Sequence, residues 1–158
     1  MNISEKRRAF MSQLDLNIKF LEKSIDALAY SYNKCSNIRE KKEYNLEEQE
    51  KFEALTSRFA RTSDILTQKV LKTVFILIQE NVKTIIDAAN LLEKLEIIER
   101  ADDLLNIREL RNQIAHEYQE SELNSLFMDV LKYVPELEKI VDGLNKYLKE
   151  VFPGKFGR

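Results

Sequence analysis

The stretch Leu104-Leu105-Asn106-Ile107-Arg108-Glu109-Leu110-Arg111-Asn112-Gln113-Ile114-Ala115-His116 sets Leu104, Ile107, Leu110 and Ile114 three or four positions apart. That spacing lines up one apolar stripe on an α-helix, and neither Gly nor Pro interrupts it. A helix is expected from about Glu99 to Ala115 or His116. The stretch decides the fold because the same period recurs on both sides of it.

Upstream, a helix is expected over Val82 to Leu95, where Leu95-Glu96-Ile97-Ile98 breaks the pattern. Before that, Phe52, Leu55, Phe59, Leu66 and Val70 share one face of a helix from Leu46 to Glu80. Arg58 lies at the border of that stripe, and Arg61 lies about 60° further round. From Val70 to Ile78 the pattern is apolar nearly all round. Such a segment is central in a bundle or buried against another subunit, and a subunit contact in part is expected. The first helix should run from an N-cap at Ser4 to about Asn33. Phe10, Leu14, Ile18, Leu21, Ile25 and Leu28 form its stripe. Lys34 to Asn45 loses the period and carries Lys34, Arg39, Lys41 and Lys42, which reads as a solvated loop or an RNA-contacting one. Downstream, Gln119-Glu120-Ser121 makes a short connection with Ser121 as N-cap. The last helix extends to Val151, kinked or divided at Pro135.

The chain has 158 residues with only three Gly and two Pro, which disfavours a turn-rich β protein. The expectation is an all-α, antiparallel up-and-down bundle of about five helices. It forms a single domain over residues 1–152, with a flexible tail at 153–158. An elongated coiled coil is weaker, because no strict heptad persists. The net charge of -2 makes no global case for a polyanion, so such a partner needs a local basic patch. A single cysteine, Cys35, allows no internal disulfide and no cysteine-based zinc site, and fits a reducing cytosol. The first residues lack the apolar core of a signal peptide, and the run Val74–Ile78 is far too short for a membrane span. A soluble cytoplasmic protein without membrane contact is expected.

The chemistry concentrates at Arg111 to Tyr118. His116 is the only histidine, a side chain that exchanges protons near neutral pH. Arg111 projects among Leu104, Ile107 and Ile114, where a charge needs a partner. It is either a snorkelling or internally paired arginine or a cation facing a cleft that admits an anion. His116 is either a helix C-cap or the proton-transfer group of such a cleft. On a regular helix it lies roughly 7.5 Å along the axis from Arg111 and about 140° round, so the two would flank a phosphate-sized group. With no second histidine and no cysteine cluster, metal binding is not expected.

Arg111-x4-His116-x-Tyr118, embedded as LRNQIAHEY, resembles the signature of HepT-like toxins in the HEPN superfamily (higher eukaryotes and prokaryotes nucleotide-binding). The resemblance extends to FEALTSRFARTSDIL and LLEKLEIIERADDLLNIRELRN and covers about residues 46–148. It implies a helical bundle, and in many members a metal-independent ribonuclease without cofactor that works as a homodimer with its active site at the dimer cleft. Carried onto this chain, Arg111 would hold the scissile phosphate and His116 would transfer protons. Asn112 would support the pair, and Arg108, Arg58 and Arg61 are candidate RNA or phosphate contacts. Tyr118 would be the tyrosine to which an MntA-type nucleotidyltransferase antitoxin transfers AMP, in a type VII-like toxin–antitoxin system. The chain departs from the family in having Arg108-Glu109-Leu110 where a small residue often precedes the Arg-Asn pair, and in its longer N-terminal portion. A non-catalytic nucleotide-binding partner subunit of a minimal nucleotidyltransferase is the alternative. A purely structural helical adaptor is a third reading.

Overall fold

Asn2, Asn45 and Thr84 each precede an acidic residue by three positions, and each opens a helix through a capping box. In each box the cap side chain accepts the backbone N–H of Glu5, Glu48 or Asp87, whose carboxylate accepts the cap's own N–H in return. These starts belong to α1 (Ile3–Cys35), α2 (Leu46–Asp64) and α4 (Ile85–Lys94). The computed structural model describes residues 2–116 and 120–156. α2 passes through a π-helical segment (Ile65–Val70) into α3 (Leu71–Leu77) without a break, and α5 (Ala101–Ile114) and α6 (Glu120–Val151) complete the chain. The result is an all-α bundle of five helical rods, with no strand among the described residues. The coiled-coil alternative is set aside: α1 packs along the whole α2–π–α3 rod, while α5 and α6 both pack against α2.

The apolar stripes meet in one core. Leu14, Leu28, Phe52, Phe59, Leu104 and Ile107 are fully buried. Phe10, expected on the α1 stripe, is exposed, and Ile25 and Ile114 are only partly buried. The all-round apolar segment is buried largely within the chain: Val70, Leu71, Val74, Phe75 and Leu77 are buried, Ile78 is partly buried and Ile76 is half exposed. α1 supplies the missing wall there, and Arg7 caps the end of α3 with a 2.9 Å hydrogen bond from Nη1 to the Leu77 carbonyl.

Several boundaries shift. The N-cap of α1 is Asn2 rather than Ser4, because Asn2 pairs with Glu5. The third rod begins at Ile85 rather than Val82, since Thr84 and Asp87 form its cap. α6 is already helical at Glu120, so Ser121 lies inside it, and Pro135 does not divide it. The connector after Cys35 folds onto the bundle. Tyr44 is buried, with its ring 5.0 Å from Phe52 and 6.3 Å from Phe127, and Asn124 of α6 donates to the Lys42 carbonyl. Within that connector Lys41 is held by Glu48.

Candidate functional site

Arg111 sits in the last turn of α5, one turn beyond the buried Ile107 and beside Leu110. The stripe that buries α5 against α2 therefore carries the guanidinium inward, to the end of α2. Asp64 waits there. Arg111 Nε donates to Asp64 Oδ1 at 2.7 Å and Nη2 to Oδ2 at 2.8 Å, a bidentate fork. These hydrogen bonds push the guanidinium pKa above its ordinary value, against the opposing effect of burial. The pairing meets the requirement that a charge on an apolar face have a partner, yet it leaves the Arg111 side chain one-quarter exposed. Asp64 takes the Nε–H and one Nη2–H; the Nη1 amino group and the other Nη2–H remain available to an anion.

Asp64 is the last residue before the π-helical segment, and Ile65, Gln68 and Lys69 of that segment share its groove. A π-helical turn shifts the register of a helix face, and such turns recur at functional sites. Here the shift lies between the buried faces of α2 and α3 and beside Asp64.

The groove between α1, the π-helical segment and α5 has a volume of about 1190 Å³. Lys23, Arg58, Arg61, Lys69, Arg108 and Arg111 all line it, against the single acid Asp64. A chain of net charge -2 thus gathers a strongly positive concave face, the local patch that composition alone does not reveal. Asn112 lines the same groove. Arg108 lies 3.8 Å from Asp64 through Nη1, as a second and looser partner. Arg58 is engaged with α1, donating from Nη1 to the Ala27 carbonyl at 3.1 Å and to Ser31 Oγ at 2.8 Å. Arg61 is exposed and makes no ion pair among the described residues. The structure therefore brings together Arg58, Arg61, Arg108, Arg111 and Asn112.

His116 stands apart from that lining. It is exposed just beyond α5, and its backbone N–H donates to the Gln113 carbonyl at 3.1 Å. Its imidazole makes no hydrogen bond among the described residues, so the last turn of α5 is closed by backbone rather than by a histidine cap. Tyr118, the expected modification site, lies outside the described residues. Among the described residues no cluster of three or more His, Cys, Asp or Glu is placed to hold a metal ion, and no helix is long and apolar enough to cross a membrane. Cys35 is buried, and burial pushes its thiol pKa up.

Sequence reasoning missed Asp64, Lys23 and Lys69. For Asp64 a signal existed: a charge on the α5 apolar face requires an acid opposite. Which acid could not be read, because the choice depends on how α5 is set against α2. Comparison with protein families matches residues 38–144 to the model described as HepT-like, Ribonuclease HepT-like. No curated protein and no solved structure matches.

Proposed function

The chain belongs to the HepT-like ribonuclease family, and from that premise we infer that it is a HEPN ribonuclease toxin which cleaves RNA without a metal, as a homodimer, through Arg111 and His116. The observation that carries the reading is the fork from Arg111 to Asp64 on a cation-rich groove, five residues before the only histidine. RNA brings its own nucleophile, the 2′-OH. Cleavage needs a base to take that proton, an acid to protonate the departing 5′-oxygen and a cation for the charge that develops on phosphorus. His116 moves protons. Arg111, oriented by Asp64 and with N–H groups to spare, holds the phosphate and stabilises its developing charge. One histidine per chain serves awkwardly as both base and acid. Two copies facing one cleft supply one for each task. The products are a 2′,3′-cyclic phosphate and a 5′-hydroxyl.

The test is incubation of the purified protein with cellular RNA in EDTA, beside His116→Ala and Arg111→Ala. Wild type is expected to cleave, and each variant to lose about 100-fold or more of the rate, the scale of one proton-transfer or charge-stabilising group. Equal cleavage by all three, or none by wild type freed of any partner and modification, sinks the claim. Growth arrest on expression that His116→Ala relieves separates this reading from a non-catalytic nucleotide-binding subunit.

Tyr118 is the switch in this reading. AMP added by an MntA-type nucleotidyltransferase puts negative charge two positions beyond His116 in the sequence, and that charge repels RNA. Intact mass after incubation with the nucleotidyltransferase and ATP is expected to rise by AMP units, and not to rise in Tyr118→Phe. Unchanged addition in that variant places the site elsewhere.

A further inference from the structure

The groove beside Arg111 has a wall that the family match does not cover. Phe20, Lys23 and Ala27 of α1 line it, and all precede residue 38, where the match begins. They lie three and seven positions apart, on one helical stripe that continues at position ten to Tyr30. Phe20 is 46% exposed and Tyr30 is 60% exposed, both unusual for aromatic rings on a bundle that buries Phe52 and Phe59 completely. Each ring is flanked by cations. Lys69 Nζ lies 5.9 Å from the Phe20 centroid; Lys34 Nζ lies 5.4 Å and the Arg58 guanidinium 5.9 Å from that of Tyr30.

We propose that this face, with Tyr30 at one end, Phe20 at the other and Lys23 and Arg111 between them, is the binding track for single-stranded RNA. The proposal rests on the ribonuclease reading above and names the form of RNA that site accepts. Solvent-exposed aromatic rings stack unpaired bases of any identity once the flexible lysines that now lie over them, Lys69 on Phe20 and Lys34 on Tyr30, turn to the phosphates. A duplex hides the faces of its bases, so it meets the cations but leaves the rings unused. The two rings are about 15 Å apart along α1, room for several nucleotides with the scissile phosphate at Arg111 between them. A second copy closed directly onto the rings would set cation against cation across the two-fold; the dimer cleft of the nuclease reading instead holds RNA between the two copies.

The experiment uses the full chain and a fully 2′-O-methylated oligonucleotide of mixed sequence, which lacks the free 2′-OH. Fluorescence anisotropy gives Kd for the single strand and for the same sequence as a duplex, over a salt series. The single strand is expected to bind at least about tenfold tighter than the duplex. Phe20→Ala should weaken it by about 5- to 100-fold, the range for loss of one stacking ring, while Phe20→Trp retains it. Lys23→Ala should lower the log–log salt slope by about 0.7, one phosphate on a single strand. No binding by wild type, equal binding of duplex and single strand, or unchanged affinity in both Phe20→Ala and Lys23→Ala overturns the track. So does a loss of affinity in Phe20→Ala explained wholly by dissociation of a dimer, measured by sedimentation. The two readings fail separately. Cleavage that depends on His116 but ignores Phe20 and Lys23 removes the track and leaves the nuclease. Stacking-dependent binding with no cleavage by wild type removes the nuclease and leaves the track.

Discussion

At the scale of single residues, Asp64 decides what Arg111 is able to do. The carboxylate is about one-third exposed, so the pair is solvent-screened and its contribution to stability is modest, within about 1 kcal/mol. Its effect on geometry is larger, because a fork fixes both the plane and the direction of the guanidinium. Asp64→Asn is therefore expected to leave thermal stability nearly unchanged while kcat for RNA cleavage falls by about 100-fold, the scale of a misplaced reacting group. KM should not rise, since the change removes the one negative charge lining a positive groove. Steady-state kinetics beside a melting curve check both halves; a raised KM with unchanged kcat means that Asp64 serves binding instead. That Arg111 required a partner was legible from its place among Leu104, Ile107 and Ile114. That the partner is Asp64, 47 positions away, was not.

At the scale of elements, helix starts proved more legible than helix stops. The pairs Asn45/Glu48 and Thr84/Asp87 carry their capping chemistry in the sequence, and the third rod starts at Ile85 rather than Val82 because Thr84 caps it. Two of the stops, those of α3 and α4, are Schellman motifs without glycine. After α3, Glu80 N–H donates to the Phe75 carbonyl and Gln79 N–H to that of Ile76; after α4, Ile97 N–H donates to the Leu92 carbonyl and Glu96 N–H to that of Glu93. Both motifs require a left-handed residue, and Gln79 and Glu96 each adopt φ of 61°. A side chain in that region costs about 1 kcal/mol that glycine does not incur. Glu96→Gly is expected to raise unfolding stability by up to about 1 kcal/mol, read from the midpoint of urea denaturation, with Gln79→Gly acting alike. A loss of stability in both variants means that the side chains hold the turns.

At the scale of the whole molecule, the bundle closes where α6 passes the turn after α4. Gly143 permits this: a Cβ there would collide with the Ile97 backbone carbonyl oxygen, which cannot swing aside as a side chain can. Gly143→Ala is expected to destabilise by about 1–3 kcal/mol, as overpacking does, despite alanine's better helix propensity. Chemical denaturation measures this, and a neutral result means that α6 shifts freely. Within the bundle the apolar period determined by itself which residues form helices and which faces they bury, because burial follows periodicity within a few turns of one segment. The motif from Arg111 to Tyr118 was likewise readable, being local. Only the tertiary structure decided that Arg58, Arg61 and Arg108 share a groove with Arg111, that Lys23 and Lys69 join them from other segments, and that the apolar stretch from Val70 to Ile78 is covered in large part by α1. Those outcomes depend on how whole rods rotate and slide against one another, and that is set by packing across the entire core rather than by any one stretch of chain.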